Sequence, residues 1–311
     1  MPAHVGCVAT IGNFDGVHLG HQAVLGQLAE QGAKLALPTV VIMFEPQPQE
    51  FFCGPAGAPP RLTRFREKVQ ALRRYSVDRV VVLPFNHQLA LMPAEQFIQT
   101  LLVDGLGVRY LVVGDDFRFG HRRQGDFELL RQAGRACGFQ VAAMRSFLVN
   151  GERVSSTRIR RALALGDMAL ADQMLGRIFR LSGKVVMGDQ RGRQLGFPTA
   201  NINLHRLTLP LQGVFAVEAY GLEGEPVAGV ANIGVRPTFN GKRPLLEVHL
   251  LDFSGDIYGR HVEVEVLHKI RSEQRFDSLN ALVAQIHQDI EVARRFFGKR
   301  VAEQSTAQTV A

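Results

Sequence analysis

The sequence predicts two domains in series: an α/β domain of doubly wound, parallel-sheet type, then an antiparallel β domain closed by a terminal helix. Three observations predict this. The chain has 311 residues, more than one hydrophobic core ordinarily serves. Up to about residue 179, β-branched apolar runs alternate with helical patterns, as where crossover helices join parallel strands. From Leu181 the pattern changes to short strands and turns, as in a barrel or sandwich. The boundaries are therefore set at 1–179 and 180–300. Residues 301–311 are small and polar without periodicity, and disorder is expected from about Glu303.

In the first domain, Val5 to Ile11 is an apolar run that predicts a buried strand. Val24, Leu25 and Leu28 then fit one helix face. Thr39 to Phe44 is a second buried strand, ended by Glu45-Pro46-Gln47-Pro48. Residues 51–60, rich in Gly and Pro, predict a loop. Thr63 is expected to cap a helical stretch carrying Phe65, Val69 and Leu72. Arg79 to Leu83 and Tyr110 to Gly114 are further strands, separated by a helix from Pro93 to Leu102 with proline at its start. The helix Phe127 to Cys137 and a strand to Met144 complete the alternation. Ligands of such sheets bind at the carboxyl ends of the strands.

Composition narrows the class. Hydrophobic residues make up 46% and charged residues 21%, ordinary for a globular protein. No apolar run approaches membrane-span length, and no signal-peptide pattern is seen at the N-terminus. Cys7, Cys53 and Cys137 are far apart and form no Cys-x-x-Cys, which argues for a reducing compartment. Residues 1–180 hold 21 Lys/Arg against 15 Asp/Glu, whereas 181–311 hold 15 against 14. That basic half suits nucleic acid or a polyphosphate ligand. The arginines are scattered and there is no Trp for stacking, so a small-molecule phosphate is favoured and no nucleic-acid or membrane partner is expected.

The most informative stretch is Thr10-Ile11-Gly12-Asn13-Phe14-Asp15-Gly16-Val17-His18-Leu19-Gly20-His21, between the first strand and the first helix. Gly12, Gly16 and Gly20 let backbone approach a ligand without a Cβ in the way. A helix N-terminus offers N–H groups to phosphate. His18 and His21 lie one turn apart, so both imidazoles can face one anion. Two unrelated polar histidines are the plain alternative; a zinc site lacks the further ligands. Two more loops fall at strand ends. One is Gly114-Asp115-Asp116-Phe117-Arg118-Phe119-Gly120; the other is Val154-Ser155-Ser156-Thr157-Arg158-Ile159-Arg160, where Ser/Thr can cap the following helix. No Gly-x-Gly-x-x-Gly follows a strand and no Walker-type loop is present, which excludes an NAD-type Rossmann domain and a P-loop ATPase.

In the second half, Asp167 to Arg177 predicts a short helix. Gly183-Lys184-Val185-Val186-Met187-Gly188 is a strand entering a Gly/Asp/Arg loop, followed by Leu195-Gly196-Phe197-Pro198-Thr199-Ala200-Asn201. In an extended segment Thr199 and Asn201 share a face, where a hydroxyl and an amide oxygen can ligate a hard cation. In Leu246 to Phe253, Leu246, Val248 and Leu250 face one way and Glu247 and His249 the other; taken alone this is a half-buried strand with a wet face. Leu279, Leu282, Ile286, Ile290 and Ala293 mark a terminal amphipathic helix, expected to pack on the barrel.

The string Gly-x-Phe-Asp-Gly-x-His-x-Gly-His resembles the nucleotidyltransferase signature, in detail that of the FMN adenylyltransferase module of bacterial FAD synthetases. The string Gly-Arg-x-Leu-Gly-Phe-Pro-Thr-Ala-Asn resembles the riboflavin kinase signature. Together, over about residues 5 to 298, the chain resembles the bifunctional bacterial riboflavin kinase/FAD synthetase family. The resemblance implies a Rossmann-like nucleotidyltransferase domain and a kinase β-barrel, both using Mg²⁺ and ATP, with riboflavin and FMN as substrates and FAD as product. It implies nucleotide binding by Gly12, Phe14, Gly16 and Gly20, by Ser156, Thr157 and Arg160, and by Gly183, Gly188, Gly196 and Pro198. It implies flavin contacts by Asp116, Phe117, Arg271 and Phe276, and metal ligation by Thr199 and Asn201. His18 and His21 would stabilise the adenylyl transfer, and Glu247 would be the catalytic carboxylate of the kinase. A cytoplasmic monomer or weak homo-oligomer is the matching expectation. The first motif alone also fits a cytidylyltransferase-like domain on a flavin-binding barrel, and the basic half a non-enzymatic flavin sensor.

Overall fold

Alternate residues of the first strand go to two different cores, and that division organises the N-terminal half. The computed structural model describes residues 6–310 apart from 145, 189–191, 193–194 and 239–240. It divides into two compact units, Met1–Ser156 and Thr157–Ala311. In the first, β1 (Cys7–Ile11) lies between β2 (Thr39–Glu45) and β4 (Val108–Gly114), with β3 (Arg79–Pro84) and β5 (Gln140–Met144) at the edges. All neighbours run parallel, in the order β3-β2-β1-β4-β5, and a separate short hairpin follows, β6 (Leu148–Val149) with β7 (Glu152–Arg153). Cys7, Ala9 and Ile11 pack with Phe97, Leu102 and Leu130 on one face, whereas Val8 packs with Leu25, Leu28 and Leu72 on the other. A strand covered on both faces needs a continuous apolar run, which is why this one does not alternate.

The helices supply those two covers. α1 (Leu19–Leu35) brings Leu25 and Leu28, and α3 (Phe65–Arg73) brings Leu72. After the short α4 (His87–Ala90), the opposite face carries α5 (Ala94–Phe97), continued as a π-helical turn Ile98–Gly105, and α6 (Phe127–Cys137). The sheet is thus doubly wound, and the strand order reverses between β1 and β4. The carboxyl ends of those two strands carry Gly12 and Gly114, the starts of two of the loops singled out above.

Two local expectations are corrected. Residues 51–60 do not begin as loop: α2 (Pro48–Gly57) starts with Pro48 in its first turn, and the Glu50 carboxylate accepts from the Gln47 N–H at 2.9 Å. Gly54, at φ 70°, interrupts that helix. Thr63 does not cap α3. The cap is Arg64, whose N–H donates to Glu67 at 2.7 Å, and Thr63 is spent elsewhere.

In the second unit, α7 (Ser156–Leu165) and α8 (Met168–Leu175) precede a closed barrel. Asp167 caps α8, accepting from the Leu170 N–H at 3.0 Å. The barrel strands are β8 (Arg180–Val186), β9 (Ala200–Asn203), β10 (Gly213–Tyr220), β11 (Val227–Thr238), β12 (Gly241–Leu250) and β13 (His261–Arg271). Every neighbouring pair recorded is antiparallel. The terminal helix α9 (Leu279–Val310) buries Ala293, and Ile290 and Phe296 pack with Ala216 and Leu251 of the barrel. Its backbone continues as helix through 301–310, where disorder was the expectation; Ala, Glu and Gln are good helix formers.

Helix α8 packs against the barrel rather than the parallel sheet, so the units divide earlier than the change in sequence pattern near residue 180. Asp172 of α8 accepts from the Phe179 N–H at 3.0 Å. Burial pushes its carboxyl up to about 7, opposed by that hydrogen bond and reinforced by the Glu265 charge. A folded-state value above the ordinary 3.8 means that ionising Asp172 favours unfolding. The stabilisation is full below the ordinary carboxylate range and is lost as pH rises through 7. Asp172→Asn keeps an acceptor for Phe179. Thermal melts of the full chain should show a higher barrel transition at pH 8 for the variant than for the wild type, with a flatter dependence between pH 5 and 8. Equal slopes would remove Asp172 as the source.

Candidate active sites

The loop after β1 holds a backbone conformation that its residues would not choose. Phe14 and Val17 have φ of 48° and 41°, left-handed values that are costly for a bulky and a β-branched residue. Gly16, at φ 84°, is the one position there suited to that region. The loop is held from a distance. The Asp15 carboxylate, 2% exposed, accepts from the Leu62 N–H at 3.1 Å and the Thr63 N–H at 3.0 Å. The Gly16 N–H donates to the Thr63 hydroxyl at 3.0 Å, and the Ser156 hydroxyl donates to the Asp15 carbonyl at 2.9 Å.

His18 is the N-cap of α1: its Nδ1 accepts from the His21 N–H at 3.3 Å, which places any ring hydrogen of a neutral His18 on Nε2. The two imidazoles stack with centroids 3.6 Å apart and planes 16° from parallel, and Phe14 lies 4.9 Å from the His21 ring. The expected pairing of the histidines is therefore present at a helix N-terminus, at the switch point of the sheet. Phe14 itself is 2% exposed and part of the core, so its contribution to binding is confined to backbone and support. Gly12 and Gly20 back onto the rings of Phe14 and His18.

Beneath the loop lies a charge cluster that sequence reasoning missed. Arg61 bridges Glu45 and Glu50, and Lys68 is wholly buried nearby. Burial holds the Lys68 ammonium below its ordinary value, against the pull of Asp15, Glu45 and Glu50. Also missed was a group of aromatic rings at the ends of β2 and β3: Phe44, Phe51, Phe52, Phe85 and His87 meet edge to face, with Phe52 67% exposed. Such an open apolar wall can receive a planar ring; the adjacent Phe51-Phe52 pair was its one signal in the sequence. At the end of β4, Asp116 is exposed and paired with Arg153 at 2.7 Å, while Phe117 stacks on Phe119 at 5.5 Å. Ser156 begins α7; Thr157 is exposed on its first turn and Arg160 is half-buried.

In the barrel, Thr199, Asn201, Glu247, Arg271 and Phe276 line one cavity of about 450 Å³. Register explains the central group. Glu247 of β12 stands opposite Asn201 of β9 on one side and Asn232 of β11 on the other, so one carboxylate is flanked by two amides across three strands. The face predicted to be wet lines this cavity. A Cβ on Gly188 would lie 2.3 Å from the Asn201 amide nitrogen, so a side chain there would have to displace that amide. Gly183 lies within β8 against the Asn203 backbone, and Gly196 sits in a turn at φ 88°. Arg271 makes a two-pronged pair with Asp289 of α9, at 2.8 to 3.1 Å, and its guanidinium lies 5.6 Å from the Phe276 ring centroid. A second cavity, of about 570 Å³, is lined by Val185, Pro198, Leu250, Asp256 and Tyr258, and Thr199 borders both.

Oxygen donors at Thr199 and Asn201 suit Mg²⁺, which keeps several waters and takes few protein ligands beside substrate phosphates. Among the described residues no group of three or more His, Cys, Asp or Glu is placed to hold a metal. Among them too, no helix is long and apolar enough to cross a membrane, and all three cysteines are free.

Two family models match the chain: FAD synthetase over residues 1–158 and riboflavin kinase over 175–297. The bifunctional riboflavin kinase/FMN adenylyltransferase of Escherichia coli K12 is 53% identical over 293 residues, covering 94% of this chain and 93% of that one. The protein of the same description from Pseudomonas fluorescens is 51% identical over 294 residues, covering 94% of each. A solved chain described as a macrolide-efflux protein from Streptococcus pneumoniae superposes with a TM-score of 0.81 at 30% identity, covering 94% and 95% of the two chains.

Proposed function

Because the chain belongs to the bifunctional riboflavin kinase/FMN adenylyltransferase family and so makes FMN from riboflavin and then FAD from FMN, each with ATP, we propose that Glu247 is the base of the first reaction and that His18 and His21 serve the second. The observation that carries the kinase assignment is Thr199 at the border of two cavities. One of these holds the carboxylate and the other offers room for a nucleotide.

Riboflavin enters the cavity of Glu247, with Arg271 and Phe276 against its ring. The ribityl 5′-hydroxyl gives its proton to the Glu247 carboxylate as the oxygen attacks the γ-phosphorus of ATP. The new O–P bond replaces the bond to the β-phosphate, and ADP leaves. Thr199 and Asn201 are the side chains that would hold Mg²⁺ on the nucleotide, with Gly183, Gly188, Gly196 and Pro198 shaping the nucleotide side. The bound ion supplies charge neutralisation on the phosphates.

Adenylyl transfer requires less of the protein. The FMN phosphate is already an anion and attacks the α-phosphorus of ATP without a base, and pyrophosphate leaves. Catalysis is then positioning and charge stabilisation. His18 and His21 act at the transferring phosphate, with the N-terminus of α1 and the glycines Gly12, Gly16 and Gly20 giving close backbone approach. Ser156, Thr157 and Arg160 hold the outer phosphates, and Asp116 and Phe117 contact the flavin nucleotide. We set the functional boundary at about residue 180, where the first barrel strand, β8, begins. A cytoplasmic monomer or weak homo-oligomer completes the proposed reading, and three free cysteines fit a reducing compartment.

The test is chromatography of products from purified protein given riboflavin, ATP and Mg²⁺. FMN followed by FAD is the expected result. FMN alone would reopen the N-terminal assignment, and flavin bound but unchanged would overturn both.

A further inference from the structure

We propose that His249 is a positioning residue for phosphoryl transfer to riboflavin: it tethers the Pro198 carbonyl and thereby fixes Thr199 at the border of the two cavities. The proposal rests on the assignment of Thr199 and Asn201 as donors to nucleotide-bound Mg²⁺. His249 follows Glu247 by two residues in β12, so both project to the same face, and both line the smaller cavity. Its Nδ1 lies 2.9 Å from the Pro198 carbonyl oxygen. A carbonyl only accepts, so Nδ1 carries the hydrogen.

The same imidazole meets the Phe197 ring edge-on at 5.8 Å, and His287 of α9 meets that ring at 4.9 Å. The two residues before Thr199 are thus restrained in different ways. The Phe197 side chain, 8% exposed, is held between two imidazoles. The Pro198 peptide is tied by its oxygen, and its φ is fixed by the ring. What remains free to place the Thr199 hydroxyl is little more than the torsions of Thr199 itself. On its other side the chain enters β9, where Ala200 and Asn201 pair with Val248 and Glu247. His249 therefore clamps the one peptide between the ring bracket and the strand. Displacements of about 1 Å in a reacting assembly can cost on the order of 100-fold in rate.

Two substitutions in the full chain test this. His249→Phe keeps a flat ring against Phe197 and donates nothing; His249→Asn restores an N–H near the Nδ1 position. His249→Phe should raise the KM for Mg·ATP in FMN formation by roughly five- to tenfold, the scale of one neutral hydrogen bond. The KM for riboflavin and the rate of FAD formation from supplied FMN should stay near wild type. His249→Asn should recover most of the loss. Independently of activity, ¹⁵N NMR of the nucleotide-free chain should show His249 protonated at Nδ1. A ring protonated only at Nε2, an unchanged KM for Mg·ATP in His249→Phe, or parallel loss of riboflavin affinity and thermal stability in both variants would overturn the proposal. Thr199→Val keeps the two readings apart: an unchanged KM for Mg·ATP there overturns the donor assignment, while the tautomer still reports on His249.

Discussion

Glu247→Gln yields a protein that converts supplied FMN to FAD but forms no FMN from riboflavin. The replacement keeps size and hydrogen-bonding capacity between Asn201 and Asn232, and β12 keeps its register. What disappears is the group that can take a proton. An alcohol attacking phosphorus needs that acceptor, and general bases are typically worth about 10²- to 10⁴-fold. FMN formation should fall by that order, measured as initial rate under saturating riboflavin and Mg·ATP. FAD formation should not follow, because its nucleophile is an anion. Comparable loss of both activities would show that Glu247 supports the fold instead.

The mirror result is expected from His21→Ala: riboflavin is consumed, FMN accumulates and FAD does not appear. The substitution leaves the His21 N–H that His18 accepts, so the cap of α1 survives. It removes the ring that meets both His18 and Phe14. Loss of one preorganised electrostatic group in a transfer site costs on the order of 10²- to 10³-fold. His18→Asn completes the experiment, since asparagine is itself a strong N-cap; there the helix keeps its start and loses only the imidazole. FAD output at the wild-type rate in His21→Ala would take His21 out of the chemistry.

The parts of this protein legible in the sequence are those written over a few adjacent residues. The order strand, glycine loop, helix at 7–35 is written in adjacent residues, and the two signature strings fall where the elements require them. The doubly wound sheet and a following antiparallel β domain were legible from pattern alone, because burial on two faces and burial on one leave different periodicities; barrel over sandwich came with the resemblance to the kinase signature. Long-range partners were not legible. Thr63 looks like a helix cap until Asp15 and Gly16 are seen to use it from 47 or 48 residues away. Lys68 looks like a solvated helix lysine until α3 turns it under the first loop. His249 looks like one more polar residue on a wet face until Pro198 arrives from the loop before β9. Residues 51–60 look like loop because glycine and proline are counted, whereas the position of Pro48 in a first turn decides the matter.

The tie between Asp15–Gly16 and Leu62–Thr63 has a consequence in time. The turn at Phe14 and Val17 carries left-handed backbone at two bulky residues, and its short-range bonds, from the Val17 N–H to the Phe14 carbonyl and from the Gln22 side-chain amide to the Val17 carbonyl, are completed only by the long-range tie. Its shape is borrowed from a segment made 47 residues later. A chain growing from the ribosome therefore carries the whole signature for adenylyl transfer long before it carries the loop itself. β2, α2 and the 61–63 segment must be synthesised and docked first. The catalytic turn is the product of a finished domain, and a nascent or truncated chain that ends before residue 60 holds the motif as text without geometry.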